Sequence, residues 1–227
     1  MLKKQLKLLM RNGHQEMNKK VEEVFSFLDN RFPDAHCELY YQKDYELLFA
    51  VMLSAQATDR SVNKVTEVLF KEYPTLDLIC NATEDEIEKI IHSVGLSKTK
   101  AKNILLTAKE LDSKYNGKVP SDKNELMNLP GVGRKTANVV RIEYFKIPEI
   151  PVDTHVERVS KRIGLVKENC STLEVENTLK RIIPKERLIK AHHQLIFLGR
   201  YLCKSQNPSC KDCGLQNICK HYKMLLK

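Results

Sequence analysis

The residues best suited to chemistry lie in two short segments. The first, residues 129–137, reads LPGVGRKTA, and its lysine, Lys135, stands at the start of a predicted helix. The second, residues 151–155, reads PVDTH and supplies a carboxylate, Asp153, at the start of another predicted helix. By position alone, Lys135 fits either a nucleophile or a phosphate contact, and Asp153 fits a helix N-cap, a position that aspartate fills well.

The glycines of the first segment predict a turn that a ligand approaches closely. Gly131 and Gly133 flank one apolar residue between two helical stretches. A side chain at either glycine would obstruct that approach, and glycine tolerates positive φ. The next helix, predicted over Arg134–Phe145, directs its unpaired N-terminal amides and its dipole at the turn, which suits a phosphate. The segment therefore predicts a sequence-independent contact with a nucleic-acid backbone.

The charge balance agrees with such a partner. Lys and Arg total 38 against 29 Asp and Glu, a formal net charge of +9 at pH 7. An excess of this size favours association with a polyanion. By itself it also fits a protein that is merely rich in lysine.

Four cysteines near the C-terminus have the spacing of a metal site. They follow the pattern Cys-x6-Cys-x2-Cys-x5-Cys, so four sulfurs can surround one ion or cluster. Spacing alone leaves zinc and iron–sulfur both open, with tetrahedral zinc as the default. The remaining three cysteines, Cys37, Cys80 and Cys170, are expected to be ordinary thiols. The predicted ligands are Cys203, Cys210, Cys213 and Cys219.

Nearly every segment predicts a helix, so an all-α fold is expected. Ser171–Glu174 and Thr83–Glu86 both fit the capping box that begins a helix. After the second box, apolar residues recur with helical spacing, and Gly95 is the predicted stop. Further helices are predicted over Thr154–Ile163 closed by Gly164, over Leu173–Ile183 ended by Pro184, and from Leu188 to Leu202. Three lysines after Gly95 fit either phosphate contacts or, as is more common at this spacing, a solvated face. They are Lys98, Lys100 and Lys102.

Two prolines three positions apart, Pro148 and Pro151, mark a break between lobes. They disfavour helix and hold the chain extended. The segment between them is therefore interpreted as the crossing from one lobe to the other. The expected divisions are a basic N-terminal extension (1–15), a helical lobe with the hairpin (37–147), and a second helical lobe with the cysteine loop (16–36 with 148–227).

Neither a membrane segment nor a secretion signal is apparent. The longest apolar run is residues 47–53, whereas spanning a bilayer takes ~20 apolar residues. Charged residues interrupt the apolar ones throughout the basic N-terminus, so no secretory core forms. An intracellular protein is expected, cytoplasmic or associated with the nucleoid if the source is bacterial or archaeal.

Taken together, the segments resemble the endonuclease III family of DNA glycosylases, in the helix-hairpin-helix superfamily. The resemblance covers about Glu16 to His221. It implies an all-α, two-lobed fold with a C-terminal iron–sulfur loop. It also implies base-excision repair, in which the enzyme removes oxidised pyrimidines and cleaves the strand 3′ to the abasic site. The matching motifs are LPGVGRKTA at 129–137, LSAQATD at 53–59, VGL at 94–96, VDTH at 152–155, and the cysteine pattern.

The resemblance assigns roles to individual residues. Lys135 would attack the sugar C1′ of a flipped-out nucleotide, forming a Schiff base that permits β-elimination. Asp153 would stabilise positive charge on the sugar and assist proton transfers. Gln56 would address the orphan base, and Leu96 would separate base steps as an apolar wedge. The hairpin residues expected to contact DNA are Gly131, Val132, Gly133 and Arg134.

The resemblance also implies a cofactor and a partner. The cofactor is a [4Fe-4S] cluster on the four cysteines, with the structural role of holding their loop so that Lys204 and Lys211 meet DNA. The hairpin carbonyls are expected to bind a monovalent cation, as in related glycosylases. The partner is duplex DNA containing damaged pyrimidines or abasic sites. A monomer is expected to bind it across the cleft between the lobes, with Lys135 facing Asp153.

Two alternatives fit part of the pattern. Adenine-mismatch glycosylases share the hairpin and cluster, but they generally lack the lysine and carry a catalytic glutamate where this chain has residues 50–53, Ala-Val-Met-Leu. Thymine-mismatch relatives carry a tyrosine in place of the lysine. A non-catalytic iron–sulfur protein that binds DNA and senses redox state would explain the charge, glycines and cysteines. It would not explain why Lys135 and Asp153 both occupy catalytic positions.

Overall fold

The computed structural model describes the backbone of residues 2–226 and the side chains of residues 15–226. Within that part every regular element is helical and no strand occurs, so the predicted all-α class is confirmed. No helix in the described part is both long and apolar enough to cross a membrane. The α-helices are α1 Leu2–Arg31, α2 Asp44–Leu53, α3 Asp59–Glu72, α4 Leu76–Asn81, α5 Glu84–Ile91, α6 Ser97–Tyr115, α7 Lys123–Asn128, α8 Arg134–Glu143, α9 Thr154–Ile163, α10 Thr172–Ile182, α11 Leu188–Phe197 and α12 Lys220–Leu225.

The chain divides into two compact units. The internal unit comprises Cys37–Ile147, and the terminal unit comprises the chain up to His36 together with the chain from Pro148 onward. Each unit has its own cluster of buried apolar side chains. The side chains of residues 1–14 lie outside the described part, so the N-terminal extension expected at residues 1–15 stays a prediction.

Helix α2 forms the centre of the internal unit. Leu47, Leu48, Phe49, Ala50 and Leu53 have no exposed surface. Because the helix is apolar on every side, it has to be enclosed by others, and it contacts α3, α6 and α8. The apolar run 47–53 is therefore a buried core helix.

Helix α6 is the longest helix of the internal unit and packs against α2, α4 and α5. Its apolar face is fully buried at Ala101, Ile104, Ala108 and Leu111. Lys100 and Thr107, beside this face, donate hydrogen bonds to carbonyls of the loops that follow α2 and α7.

In the terminal unit, α9 and α11 pack together against α1 and α10. The predicted helix from Leu188 to Leu202 is present, with a π-helical turn in its last five residues, Leu198–Leu202. Turns of this kind are frequent at functional sites. The next residue is Cys203, so the helix leads directly into the cysteine loop, residues 203–219.

Most predicted helix boundaries are confirmed to within two residues. Both capping boxes form, with Glu86 accepting from the Thr83 amide at 2.8 Å and Glu174 from the Ser171 amide at 2.7 Å. The stop predicted at Gly95 is wrong. Helix α5 ends at Ile91, and the left-handed backbone conformation falls on Leu96, at φ +61°. A glycine is the expected residue for that conformation, whereas here Leu96 adopts it as the N-cap of α6.

Candidate functional site

The hairpin, residues 129–133, joins α7 to α8 in a tight turn. The Val132 amide donates to the Leu129 carbonyl at 3.1 Å, and both side chains are buried. Gly131 has φ +75°, as the sequence predicts for a turn that requires glycine. The buried valine and leucine anchor the turn to the core, which leaves the glycine backbone at the surface.

The two glycines differ in why a side chain would be excluded. A Cβ on Gly131 would lie 2.7 Å from the Asn103 amide nitrogen of α6, so the protein itself excludes it. Gly133 has φ −89° and ψ 175°, and a Cβ there would meet no protein atom within 4 Å. Gly133 therefore does not use the positive φ that glycine tolerates, and the space beside it is open to a ligand.

Lys135 lies in the first turn of α8 with an exposed side chain. Arg134 beside it is exposed as well, whereas Ala137 is fully buried and fixes the helix to the core. Because Gly133 is the N-cap, no side chain covers the first amides of α8. The helix start thus offers amide donors, a dipole end and two cationic side chains at the surface.

Two more exposed turns of the internal unit contain a residue whose backbone is in the left-handed conformation. These two turns, at Gln56 and Leu96, and the hairpin are called the tips of the unit. Gln56, in the loop between α2 and α3, has φ +56° and is exposed. Leu96, the N-cap of α6, has φ +61° and is 61% exposed. Non-glycine residues adopt this conformation at an energetic cost, and such strain clusters at functional sites. At Leu96 an apolar side chain stays exposed to water and the backbone adopts an unfavourable conformation, so both features cost free energy.

Lys100 does not lie on an exposed face, contrary to the sequence-based expectation for the three lysines. Only 6% of it is exposed, and its ammonium donates to the carbonyls of Leu53 at 2.9 Å and Ala55 at 2.7 Å. Burial lowers the pKa of Lys100 below its ordinary value. Lys98 and Lys102 are exposed, as expected. Lys100 is thus an internal support of the Gln56 loop.

In the terminal unit, Asp153 is the N-cap of α9, which confirms that interpretation. Its Oδ1 accepts from the His155 amide at 2.9 Å and the Val156 amide at 2.8 Å. The residue is partly exposed. The preceding backbone is held by His192, whose Nδ1 lies 2.9 Å from the Pro151 carbonyl. Two hydrogen bonds from backbone amides to a single oxygen fix the orientation of this carboxylate.

Two arginines of α9 hold the beginning of the cysteine loop. Arg158 donates to the carbonyls of Gly199 at 2.9 Å and Cys203 at 3.1 Å. Arg162 donates to the carbonyl of Lys204 at 2.6 Å, and its guanidinium lies 3.6 Å from the Cys203 sulfur. The helix that Asp153 caps is therefore also the support of the cysteine loop.

The four cysteines of the predicted metal site line one cavity, together with Ile163, Leu198, Leu202 and Leu215. None of them forms a disulfide. Burial raises the pKa of the Cys210 and Cys213 thiols, and the neighbouring cysteine sulfurs raise it further. Thiolates that line one cavity would repel one another, and a bound cationic centre would remove that repulsion. Among the described residues, however, no group of three or more His, Cys, Asp or Glu side chains is placed to hold a single metal ion.

Comparisons with known proteins agree with this geometry. Residues 49–185 match the HhH-GPD superfamily base excision DNA repair protein family. Endonuclease III of Bacillus subtilis (strain 168) is 48% identical over 202 residues, which is 89% of this chain and 92% of that protein.

Solved structures lead to the same family. A trapped endonuclease III–DNA covalent intermediate is 50% identical, with a TM-score of 0.89 over 92% of this chain and 99% of that one. A thermostable thymine-DNA glycosylase, 23% identical with a TM-score of 0.81, shares the fold. The chain belongs to the endonuclease III family.

The predicted site residues fall into two groups. Gln56, Leu96, the hairpin and Lys135 belong to the internal unit, whereas Asp153 and the cysteine loop belong to the terminal unit. Sequence reasoning missed the supports beneath the first group, which are Lys100, Asn103 and Thr107 of α6. Their contacts are tertiary, so no local pattern in the sequence marks them as supports.

The hairpin glycines give a matched pair of substitutions. Gly131→Ala is expected to lower the unfolding temperature, because alanine at positive φ costs ~1–2 kcal/mol before the contact with Asn103 is counted. Gly133→Ala is expected to cost less than about 1 kcal/mol but to weaken duplex DNA binding. Thermal unfolding and DNA titration measure the two effects. Unchanged DNA affinity in a folded Gly133→Ala variant would contradict a close approach of DNA at this residue.

Proposed function

We propose that this protein is a bifunctional DNA glycosylase and AP lyase of base-excision repair. It removes oxidised pyrimidines from duplex DNA and cleaves the strand 3′ to the abasic site. The observation that carries this proposal is the exposed lysine in the first turn of the helix that follows the Gly-Val-Gly hairpin. Membership in the endonuclease III family supports it.

Lys135 is the proposed nucleophile. Its neutral amine attacks C1′ of the damaged nucleotide, the bond from C1′ to the base breaks, and the base leaves with the electron pair and a proton. Opening of the sugar ring gives a Schiff base between Nζ and C1′. Loss of a proton from C2′ then breaks the C3′–O bond, and the 3′ phosphate leaves. Hydrolysis of the Schiff base returns the free lysine.

Asp153 is proposed to stabilise the positive charge that develops on the sugar and to move protons during ring opening and elimination. Its N-cap bonds support this role, because they fix the carboxylate before substrate arrives. Preorganised charge of this kind lowers the barrier without the reorganisation that water would need.

Gln56 and Leu96 are proposed to enter the duplex. Extrusion of the target base leaves a gap in the stack and an unpaired base opposite it. The Gln56 side-chain amide both donates and accepts hydrogen bonds, so it can bond to donor or acceptor groups on the edge of the orphan base. Leu96 presents an apolar side chain that can separate base steps. Their exposure and left-handed backbone support these assignments.

The hairpin is proposed to contact the DNA backbone through Gly131, Val132, Gly133 and Arg134. The open space beside Gly133 supports a phosphate at the α8 amides. We further propose that the hairpin carbonyls would hold a monovalent cation, which would supply positive charge for a DNA phosphate. Replacing potassium by lithium at fixed ionic strength should then weaken DNA binding, and equal affinity in both salts would contradict the cation.

The cysteine loop is proposed to hold a [4Fe-4S] cluster on Cys203, Cys210, Cys213 and Cys219. The shared cavity and the mutual effect of the thiols on their pKa values support a common centre. When bound, the cluster supplies cross-links that fix the loop. Arg158 and Arg162 hold the beginning of the same loop from α9. Lys204 and Lys211 of this loop are proposed to contact DNA.

Cys213→Ser is expected to lower the iron content and the unfolding temperature of the purified protein. The reason is that metal-binding free energy contributes directly to folding. Cys170→Ser is the matched control, because Cys170 lies outside the cavity. Elemental analysis should find about four iron atoms per native chain. Stoichiometric zinc in anaerobically purified native protein would contradict the proposal.

The function itself is tested on duplex oligonucleotides with one thymine glycol. The native protein should release the base and leave a 3′ β-elimination product, while an undamaged duplex stays intact. If the protein bound the damaged duplex without releasing the base or cleaving the strand, the result would contradict the proposal and favour a non-catalytic DNA-binding protein. We also propose that the protein acts at the nucleoid, because its proposed substrate is duplex DNA and the relative compared above is bacterial.

A further inference from the structure

Residues on one face of α6 belong to or contact each of the three tips of the internal unit that are proposed to contact DNA. Leu96, Lys100, Asn103 and Thr107 follow one another at intervals of four, three and four residues, so they share a helix face. Leu96 is itself one of the tips. Asn103 packs against Gly131, and the Thr107 hydroxyl donates to the Pro130 carbonyl at 2.8 Å. Lys100 serves the remaining tip, the Gln56 loop.

The ammonium of Lys100 holds the backbone on both sides of the end of α2. Leu53 is the last residue of α2, and Ala55 directly precedes Gln56. Carbonyls at a helix C-terminus lack intrahelical partners and carry the negative end of the helix dipole, so a cation is a suitable donor there. Lys100 therefore fixes the last peptide before Gln56.

The same residue is joined to the Leu96 turn. The Lys100 amide donates to the Leu96 carbonyl at 3.0 Å, which forms the first hydrogen bond of α6. Gln56 and Leu96 are both exposed and both left-handed, a conformation that persists only when the surroundings determine it. One buried lysine thus links the two strained tips through its side chain and its backbone.

We propose that Lys100 is a positioning residue for duplex opening. It keeps Gln56 and Leu96 at a fixed separation and in register with the hairpin, so that both can enter the DNA when the base is extruded. A residue that only filled space would not need a charge. Burying an ammonium is costly unless hydrogen bonds offset the lost hydration, and here the acceptors are the two carbonyls that precede Gln56. This inference rests on the proposed function, since it assumes that the two tips enter DNA.

The test compares one abasic site in a duplex with the same site in single-stranded DNA. A single strand has no stack to separate and no orphan base, so its cleavage depends on Lys135 but not on the two tips. Lys100→Met should lower kcat/KM on the duplex by about tenfold or more and leave single-strand cleavage nearly unchanged. It should also flatten the dependence of the rate on the base opposite the site. Lys100→Arg, which can still donate to carbonyls, should recover part of the duplex activity.

Lys109→Met is the matched control, because Lys109 is an exposed lysine on the same helix. It should retain both activities and the opposite-base preference. If Lys100→Met fails to fold, the comparison is made with Lys100→Gln, whose shorter side chain carries no charge, and a loss confined to the duplex is again expected.

Equal losses on single-stranded and duplex substrates, or no loss on either, overturn the inference. A native protein that cleaves neither substrate overturns the proposed function as well. The two failures are therefore distinguishable by the native protein alone.

Discussion

Lys135→Ala is expected to reduce base release and strand cleavage on damaged duplex DNA by about 10³-fold or more, as loss of an enzymatic nucleophile does. Lys135 is exposed in the first turn of α8, and the buried Ala137 that anchors this turn is unchanged. The unfolding temperature and the iron content should therefore match those of the native protein. Single-turnover assays measure the chemical step apart from product release.

Lys135→Arg separates the nucleophile from the phosphate contact. Arginine keeps the positive charge and the phosphate contact, but its guanidinium stays protonated and cannot attack C1′. We expect this variant to bind DNA about as well as the native protein and to be as inactive as Lys135→Ala. Substantial activity in Lys135→Arg would mean that Lys135 acts only as a cation.

Asp153→Asn is expected to lower the rate by about 10²–10⁴-fold, the usual contribution of a general acid–base group, with little loss of stability. Asparagine caps a helix as well as aspartate does, so the bonds to the His155 and Val156 amides can persist. Asp153→Ala removes the cap too and should cost a further ~1 kcal/mol of stability, a decrease of about 2–4 °C in unfolding temperature.

Asp122→Asn provides the control for the capping role. Asp122 is the exposed N-cap of α7 and accepts from the Asn124 and Glu125 amides at 2.8 and 3.1 Å. The same chemical change there should alter neither the rate nor the stability appreciably. A rate for Asp153→Asn as high as that of Asp122→Asn would restrict Asp153 to its structural role.

Local features of the fold were predictable because their causes are local. A capping Asp153 and a closing Gly164 together gave Thr154–Ile163, the range observed for α9. The same reasoning failed at Gly95, where the left-handed residue is Leu96. Local preference assigns that conformation to glycine, whereas the wedge role proposed for Leu96 requires a side chain there.

The supports of the site depend on tertiary contacts and were not predictable in the same way. Lys100 has the sequence environment of a surface lysine, yet it is buried because the carbonyls at the end of α2 lie opposite it. Asn103 and Gly131 are likewise far apart in sequence and adjacent in the fold. Roles for Lys135, Asp153, Gln56 and Leu96 came from a family resemblance, since their residue types alone fit ordinary structural positions.

The central claim is that Lys135 forms a covalent bond with the DNA sugar. The most direct test is borohydride reduction during reaction with a thymine glycol duplex, followed by peptide mapping of the trapped protein. The native protein should give an adduct on the peptide that contains Lys135, and Lys135→Ala should give none. An adduct of native yield in Lys135→Ala, or native protein that binds the duplex and forms no adduct, would contradict the account.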